Sequence, residues 1–344
     1  MDSRSYKILV TGGAGFIGSH TVVALHEAGF VPVIVDNFSN SQPSVLEGLE
    51  KITGHAFPFY QIDCNDRDAM AEVFAKEKLH GVIHFAAYKA VGESVREPLK
   101  YYHNNLNSLI VLLELMAERG VQNLVFSSSC TVYGQAEKLP VTEETPILPA
   151  ESPYGNTKQI SEEIIRDSVK AGMPIRGIAL RYFNPIGAHP SGLIGELPLG
   201  VPNNLVPFIA QTAAGIRPEL SVFGGDYETP DGTCIRDYIH VMDLAEAHVK
   251  SLQWLDQQSG KSLYDVFNVG TGRGNSVLEV IKTFEEQSGM PVNYKIVDRR
   301  PGDVIQIYGG VSKARRTLGW EARRGLAESM RDAWHWQQQL GKEA

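Results

Sequence analysis

Residues 11–18 read Thr-Gly-Gly-Ala-Gly-Phe-Ile-Gly, and this run narrows most what the chain can become. It follows the β-branched segment Lys7–Thr11 and opens the amphipathic stretch Phe16–Ala28. A strand that passes through three spaced glycines into a helix makes a tight turn, lets its backbone approach a pyrophosphate, and packs the helix closely on the strand. The new helix aims its N-terminal amides at the phosphates. Glycine triplets are common, and it is the strand before and the helix after that make this one a dinucleotide-binding turn. Gly12, Gly15 and Gly18 are its glycines, three residues apart. Asp36 ends the next apolar run, Val31–Asp36, 18 residues beyond Gly18. A carboxylate there accepts hydrogen bonds from an adenine-ribose diol and repels the extra phosphate of NADP, so NAD is the expected cofactor.

The turn begins a longer rhythm. Phe57–Asp63, Gly81–Ala87, Asn123–Ser129 and Arg176–Tyr182 read as further strands, with helices at Arg67–Lys78, Leu99–Arg119 and Thr157–Lys170. This alternation predicts an α/β fold with a Rossmann-type, doubly wound parallel sheet and helices on both faces. The strands are nearly continuous apolar runs, as covered sheets require. After Asn184 the character changes. Segments 185–207 and 223–232 are rich in Pro and Gly, and helices resume at Asp243–Gln257, Ser276–Ser288 and Gly325–Leu340. The expected organisation is an NAD-binding domain over 1–184 and a smaller C-terminal α/β substrate domain over 185–344. The second is read mainly as loops and helices, with some segments returning to the first.

Composition bounds the function. A chain of 344 residues, 43% hydrophobic, buries a sizeable core without disulfide staples. Its 32 basic and 40 acidic residues leave a net charge of −8, which argues against a nucleic-acid scaffold or an anionic-membrane binder. No apolar run approaches the roughly 18 residues of a membrane span, and Met1–Val10 is too short and polar for a signal peptide. Cys64, Cys130 and Cys234 are widely spaced. They fit a reduced, cytoplasmic setting better than a disulfide framework.

Two further stretches carry chemistry. In Ser152-Pro-Tyr-Gly-Asn-Thr-Lys158, Tyr154 and Lys158 stand four apart. Pro153 suits a first helical turn, so the phenol and the ammonium share a face. A phenol titrates near pH ~10. A neighbouring cation, and the positive charge of an oxidised nicotinamide, favour the phenolate, so a lowered pKa and a general-base role toward an alcohol are expected of Tyr154. Ser127-Ser-Ser-Cys-Thr-Val-Tyr-Gly134 closes the strand Asn123–Ser129, and open α/β sheets carry their sites at such C-terminal strand ends. Ser128, Ser129 and Thr131 are candidates there for a sugar hydroxyl or the nicotinamide. Cys130 reads as a small packing residue. G-x-S-x-G, HExxH and paired CxxC patterns are absent, so neither a hydrolase triad nor a metal site is expected.

With these residues the chain resembles the extended short-chain dehydrogenases/reductases that act on nucleotide sugars, and among them the C4 epimerases. The shared stretches include Val10-Thr-Gly-Gly-Ala-Gly-Phe-Ile-Gly-Ser-His20, His84-Phe-Ala-Ala, Lys89-Ala-Val-Gly-Glu-Ser94, Tyr101-Tyr-His-Asn-Asn105 and Phe126–Gly134. They continue through Arg181-Tyr-Phe-Asn-Pro185, Pro202-Asn-Asn-Leu205 and 232–243. The resemblance implies a retained NAD and interconversion of UDP-glucose and UDP-galactose. Tyr154 would take the proton of the sugar 4-hydroxyl with Ser129 relaying it. Hydride would pass from C4 to the nicotinamide, and the 4-keto sugar would turn about its diphosphate link before hydride returns to its other face. Lys158 would hold the nicotinamide ribose and tune the tyrosine.

The resemblance also distributes contacts. Those of the cofactor fall on Gly12, Gly15, Phe16, Ile17, Gly18, Asp36, Asn37, Asn40, Ser41, Asp63, Cys64, Phe85, Ala86, Ala87, Lys89, Asn104, Tyr154, Lys158 and Tyr182. Asp63 would meet the adenine and Lys89 the phosphates. Those of the substrate fall on Lys89, Ser129, Tyr154, Asn184, Asn204, Leu205, Val222, Phe223, Arg236, Arg300, Asp303 and Ile307. Two arginines suit a diphosphate through their fixed fork of donors, and Phe223 can pack on a base. Family members carry either tyrosine or a small residue at the place of Ile307, and isoleucine is intermediate, so limited entry of UDP-N-acetylhexosamines is expected. A homodimer through the helices Leu99–Arg119 and Thr157–Lys170 is implied, with Leu106, Leu109, Ile110 and Leu113 forming an apolar stripe. Rival readings fit less well. A 4,6-dehydratase needs an acid and a base at the serine strand end, and 129–131 read Ser-Cys-Thr. A simple dehydrogenase would release its cofactor. A non-catalytic NAD sensor has no need of both Tyr154 and Lys158.

Overall fold

The structure, a computed structural model, describes residues 6–300 and 304–343. In chain order the first half runs β1 (Lys7–Thr11), α1 (Phe16–Glu27), β2 (Val31–Val35), α2 (Ser44–Thr53), β3 (Phe59–Tyr60), α3 (Arg67–Lys76) and β4 (Leu79–His84). It continues with α4 (Val91–Arg96), α5 (Pro98–Arg119), β5 (Asn123–Ser129), a 3₁₀ turn (Cys130–Tyr133), α6 (Pro153–Lys170) and β6 (Arg176–Tyr182). Then follow β7 (Asn184–Ile186), α7 (Leu205–Ala213), β8 (Leu220–Phe223), β9 (Ile235–His240), α8 (Val241–Asp256) and β10 (Leu263–Val269). The chain closes with β11 (Gly274–Ser276), α9 (Val277–Ser288), β12 (Tyr294–Val297), β13 (Gln306–Ile307), α10 (Ser312–Leu318) and α11 (Leu326–Glu343).

Seven strands form one parallel sheet in the order β10-β6-β5-β4-β1-β2-β3. Side chains alternate across a strand, and the apolar runs divide accordingly. Ile8 and Val10 pack with α1, α2, α8 and α10 on one face, while Leu9 packs with α3, α5 and α6 on the other. Ile34, Ile83, Val125 and Ile178 join the first layer; Val33, Val82, Leu124 and Ala179 join the second. Every strand is therefore apolar on both sides, and all the strand ends point to one edge.

The second domain is more than loops and helices. β9 pairs with β7, β11 and β13, and β8 pairs with β12, over a core that includes Ile209, Val222, Tyr238, Phe284 and Met330. These strands span only two to six residues, too few for a period of two to stand out. The return to the first domain falls on α8 and β10. The former packs on α1, and the latter forms the sheet edge beside β6.

Local signals explain the remaining differences. The third expected strand shrinks to Phe59–Tyr60, an edge strand paired with Ile34 and Val35 alone. α6 starts at Pro153 rather than Thr157, because Ser152 caps it by accepting from the Gly155 amide at 3.1 Å. The α5 stripe does not face outward as a unit. Leu109 and Leu113 are buried in the sheet-facing core, whereas Ile110 is exposed and Leu106 half-buried. Among the described residues no helix is long and apolar enough to cross a membrane.

Candidate active site

The glycine turn closes on the end of β4. Gly12 has φ +68°, and a Cβ there would stand 3.0 Å from the Ala86 amide nitrogen. A Cβ on Gly18 would stand 2.1 Å from the Gly12 carbonyl oxygen, so helix and turn meet backbone to backbone. No side chain caps α1 at Gly15, which leaves the helix N-terminus to the ligand that a dipole of this sign favours. Phe16 and Ile17 are half-buried in its first turn, and Phe85, Ala86 and Ala87 leave β4 half-buried opposite.

Asp36 ties this turn to the next loop. It accepts from the Ala14 amide at 3.1 Å, the Phe38 amide at 2.9 Å and the Ser41 hydroxyl at 2.8 Å. Phe38 has φ +56°, an uncommon state for a bulky residue, and the Asp36 bond holds it there. Asn37 donates to Asp63 at 3.1 Å, and Asn65 bridges Asp63 to Asn104. Asp36, Asn37, Ser41, Asp63 and Asn104 thus form one polar rim, with Asn40 exposed beside it. Cys64 is buried behind the rim, its thiol pushed up to about 12 by burial, so it serves packing. A cradle that a Cβ would fill, rimmed by a carboxylate, fits a dinucleotide.

At the end of β5 three serines face α6. The Lys158 ammonium donates to the Ser127 carbonyl at 2.6 Å and lies 4.9 Å over the Phe126 ring. The Ser128 hydroxyl donates to Glu162 at 2.5 Å. Ser128 therefore faces inward, away from any sugar, contrary to the expectation. Ser129 accepts from the Thr131 amide at 3.2 Å and lies close enough to the Tyr154 phenol to favour its phenolate. The Thr131 hydroxyl is buried without a protein partner. Tyr182 pairs its hydroxyl with Ser127, and burial raises its pKa.

The expected lowering of the Tyr154 pKa is not what the protein's own groups produce. Burial pushes it up to about 12, with Ser129 pulling the other way. The reason is geometric: the Lys158 ammonium lies 5.9 Å over the phenol ring, not at its oxygen. Burial also takes Lys158 down to about 7, with Glu162 opposing it.

Across the cleft, Asn184, Asn204 and Leu205 line one hollow with Pro185, Glu196 and Tyr238. Glu196 accepts from the Asn204 amide at 2.5 Å and from Lys89 at 3.3 Å, joining an expected sugar contact to an expected phosphate contact. Sequence reasoning missed Glu196, which no motif marks. Arg300 lies 5.4 Å over the Phe223 ring. Arg236 on β9 sits in register with Ile307 on β13. Val222 is 1% exposed in the domain core. The strand period leaves Ser221 and Phe223 on the other face, so only the backbone of Val222 is free to meet a ligand there. Ile307 packs in a small cluster with Cys130 and Phe183, next to the serine strand end. Asp303 lies outside the described residues.

Such a site can move a proton at an alcohol while a bound dinucleotide takes the hydride, which is the chemistry of the extended short-chain dehydrogenases/reductases. The profile of the family described as GDP-mannose 4,6 dehydratase matches residues 9–333. The UDP-glucose 4-epimerase of Bacillus subtilis (strain 168) is 54% identical over 330 residues, covering 96% of each chain. The crystal structure of the Stenotrophomonas maltophila UDP-glucose-4-epimerase, with bound NAD and formylated UDP-arabinopyranose, has a TM-score of 0.95 and 48% identity, covering 98% of this chain and 100% of that one. The Bifidobacterium longum UDP-glucose 4-epimerase, in complex with NAD+ and UDP, has a TM-score of 0.93 and 47% identity, covering 98% and 100%. This chain belongs to the UDP-glucose 4-epimerase family, within the wider family matched by that profile.

Proposed function

We propose that Tyr154, Ser129 and Lys158 carry proton transfer at sugar C4 in this chain. The chain is an NAD-dependent isomerase that interconverts UDP-glucose and UDP-galactose. The observation that supports the roles is the placing of Tyr154 beside Ser129, with Lys158 on the Ser127 carbonyl, at the strand edge that holds the glycine cradle. Bound NAD supplies a hydride acceptor for C4 and then a hydride donor. Ser129 is suited to relay the proton, because its hydroxyl can accept and donate at once. Lys158, fixed on the Ser127 carbonyl, offers donors to a ribose and sets a positive charge over the Tyr154 ring. Gly12, Gly15 and Gly18 admit the pyrophosphate, and Asp36 takes the ribose diol.

On the substrate side, Arg236 and Arg300 hold the diphosphate, Phe223 and the backbone of Val222 flank the base, and Asn184 and Asn204 orient the sugar. Holding the nucleotide while leaving the hexose free to turn is what a 4-keto intermediate requires. Ile307 forms part of the sugar wall and admits N-acetylhexosamines to a limited extent. A dimer through α5 and α6 fits the exposed Leu99 and Ile110, and sedimentation as a monomer at working concentration would sink that assignment. Three buried, unpaired cysteines suit the cytoplasm. Tyr154→Phe removes the proton carrier and keeps the ring. Its epimerisation rate, followed by NMR of UDP-galactose, is expected to fall about 10²–10⁴-fold with the fold intact; a rate near wild type would remove Tyr154 from the mechanism.

A further inference from the structure

We propose that Glu162 is a positioning residue for the reaction, locking α6 to β5 in one register and setting the electrostatics at Lys158. The inference rests on the roles of Tyr154 and Lys158 given above. Tyr154, Lys158 and Glu162 follow one another at four-residue steps and so form one stripe of α6. The last three residues of β5 meet that stripe one for one. Ser129 meets Tyr154, the Ser127 carbonyl accepts from Lys158 at 2.6 Å, and the Ser128 hydroxyl donates to Glu162 at 2.5 Å.

Glu162 is itself anchored. Buried at 4% exposure, it accepts from Arg181 through Nε at 2.9 Å and Nη2 at 2.6 Å. Arg181 lies on β6 directly opposite Ser128 in the sheet register. It also donates to the Tyr133 hydroxyl at 3.2 Å, which donates to Asn268 of β10 at 2.6 Å. Helix, catalytic strand and two neighbouring strands therefore converge on one carboxylate. A buried ion pair is on average no more stabilising than a well-packed apolar pair of the same volume, so stability alone does not account for it.

The groups around Lys158 make its charge state sensitive to this carboxylate. α6 contributes Tyr154 and Glu162; β5 contributes the Ser127 carbonyl and the Phe126 ring. β4 contributes His84, kept neutral by burial, which holds it down to about 3. β6 contributes Tyr182 and Arg181, and β10 contributes Tyr264 beside the Glu162–Arg181 pair. Burial draws Lys158 down, and Glu162 pulls the other way. Without that negative charge the ammonium is lost at a lower pH, and with it the cation beside Tyr154.

The test is the pH–rate profile of epimerisation by the holoenzyme, for wild type, Glu162→Gln, Glu162→Asp and the double variant Glu162→Gln/Arg181→Met. The wild-type profile, recorded first, tests the function itself, so the two failures are separate. Glu162→Gln is expected to move the alkaline limb to lower pH by roughly one unit or more. Glu162→Asp keeps the charge and is expected to hold the limb near its wild-type position. The double variant removes the charge together with its partner; it is expected to regain the melting temperature lost by Glu162→Gln and yet keep the shifted limb. An unshifted limb in the charge-free variants, or a shift that disappears when stability is regained, would overturn the proposal.

Discussion

Tyr154 sits where two effects oppose each other. Burial makes its phenolate costly, while the reaction needs that phenolate for part of the cycle. The protein's own groups leave burial ahead, at about 12, and the i,i+4 rule could not reveal this because it places Lys158 on the right face without saying which atom of the phenol it meets. Ile307 shows the same limit at the next wall. Its place beside the sugar is implied only by resemblance, and its burial in a cluster with Cys130 and Phe183, next to the serine strand end, came from the fold. Ile307→Tyr adds bulk to that cluster. Overpacking is expected to cost about 1–3 kcal/mol, read by thermal or urea denaturation. The rate on UDP-N-acetylgalactosamine relative to UDP-galactose is expected to drop. An unchanged rate ratio would separate Ile307 from sugar selection.

At the scale of elements, the strand–glycine–helix unit was legible because each of its parts carries its own signal. The glycines, the apolar strand and the helix start agree, and the structure adds the reason Gly18 admits no side chain. Gly18→Ala would drive a methyl to 2.1 Å from the Gly12 carbonyl oxygen. That forces the turn open, so the purified variant is expected to carry much less NAD and to melt at a lower temperature. Full NAD content at an unchanged melting temperature would contradict the cradle. Elements held mainly by tertiary contacts were the ones hidden in the sequence. β13 is two residues long and exists because Arg236 and Ile307 meet in register. α7, whose cap residue Asn204 is turned toward Glu196, has no side-chain cap to announce it. The inward turn of Ser128 follows from Glu162 and Arg181, which lie 34 and 53 residues away in the chain.

The whole molecule responds to pH through histidines that its core keeps neutral. Burial lowers His20 to about 3, His84 to about 3 and His248 to about 4. The unfolded chain protonates them below pH ~6.5, and the folded chain does not. The unfolded state therefore binds more protons in the window from about 6.5 down to about 4, and stability falls as pH falls through it, by up to about 1.4 kcal/mol per histidine per pH unit. Urea denaturation at pH 7 and pH 5 checks this, and equal midpoints would contradict it. The change of composition after Asn184 follows the last of the six sheet strands that run consecutively with the helices, β6 (Arg176–Tyr182). The return of α8 and β10 to the sheet was not legible in detail, because an apolar strand carries no mark of the sheet it will join. Epimerisation at C4 needs one active site that removes and restores hydrogen with a cofactor it keeps. Incubating the purified protein with UDP-galactose, with no NAD added, and following UDP-glucose by NMR tests it most directly. Conversion to a stable equilibrium of the two sugars is the predicted result; no conversion, even after NAD is supplied, would contradict the account.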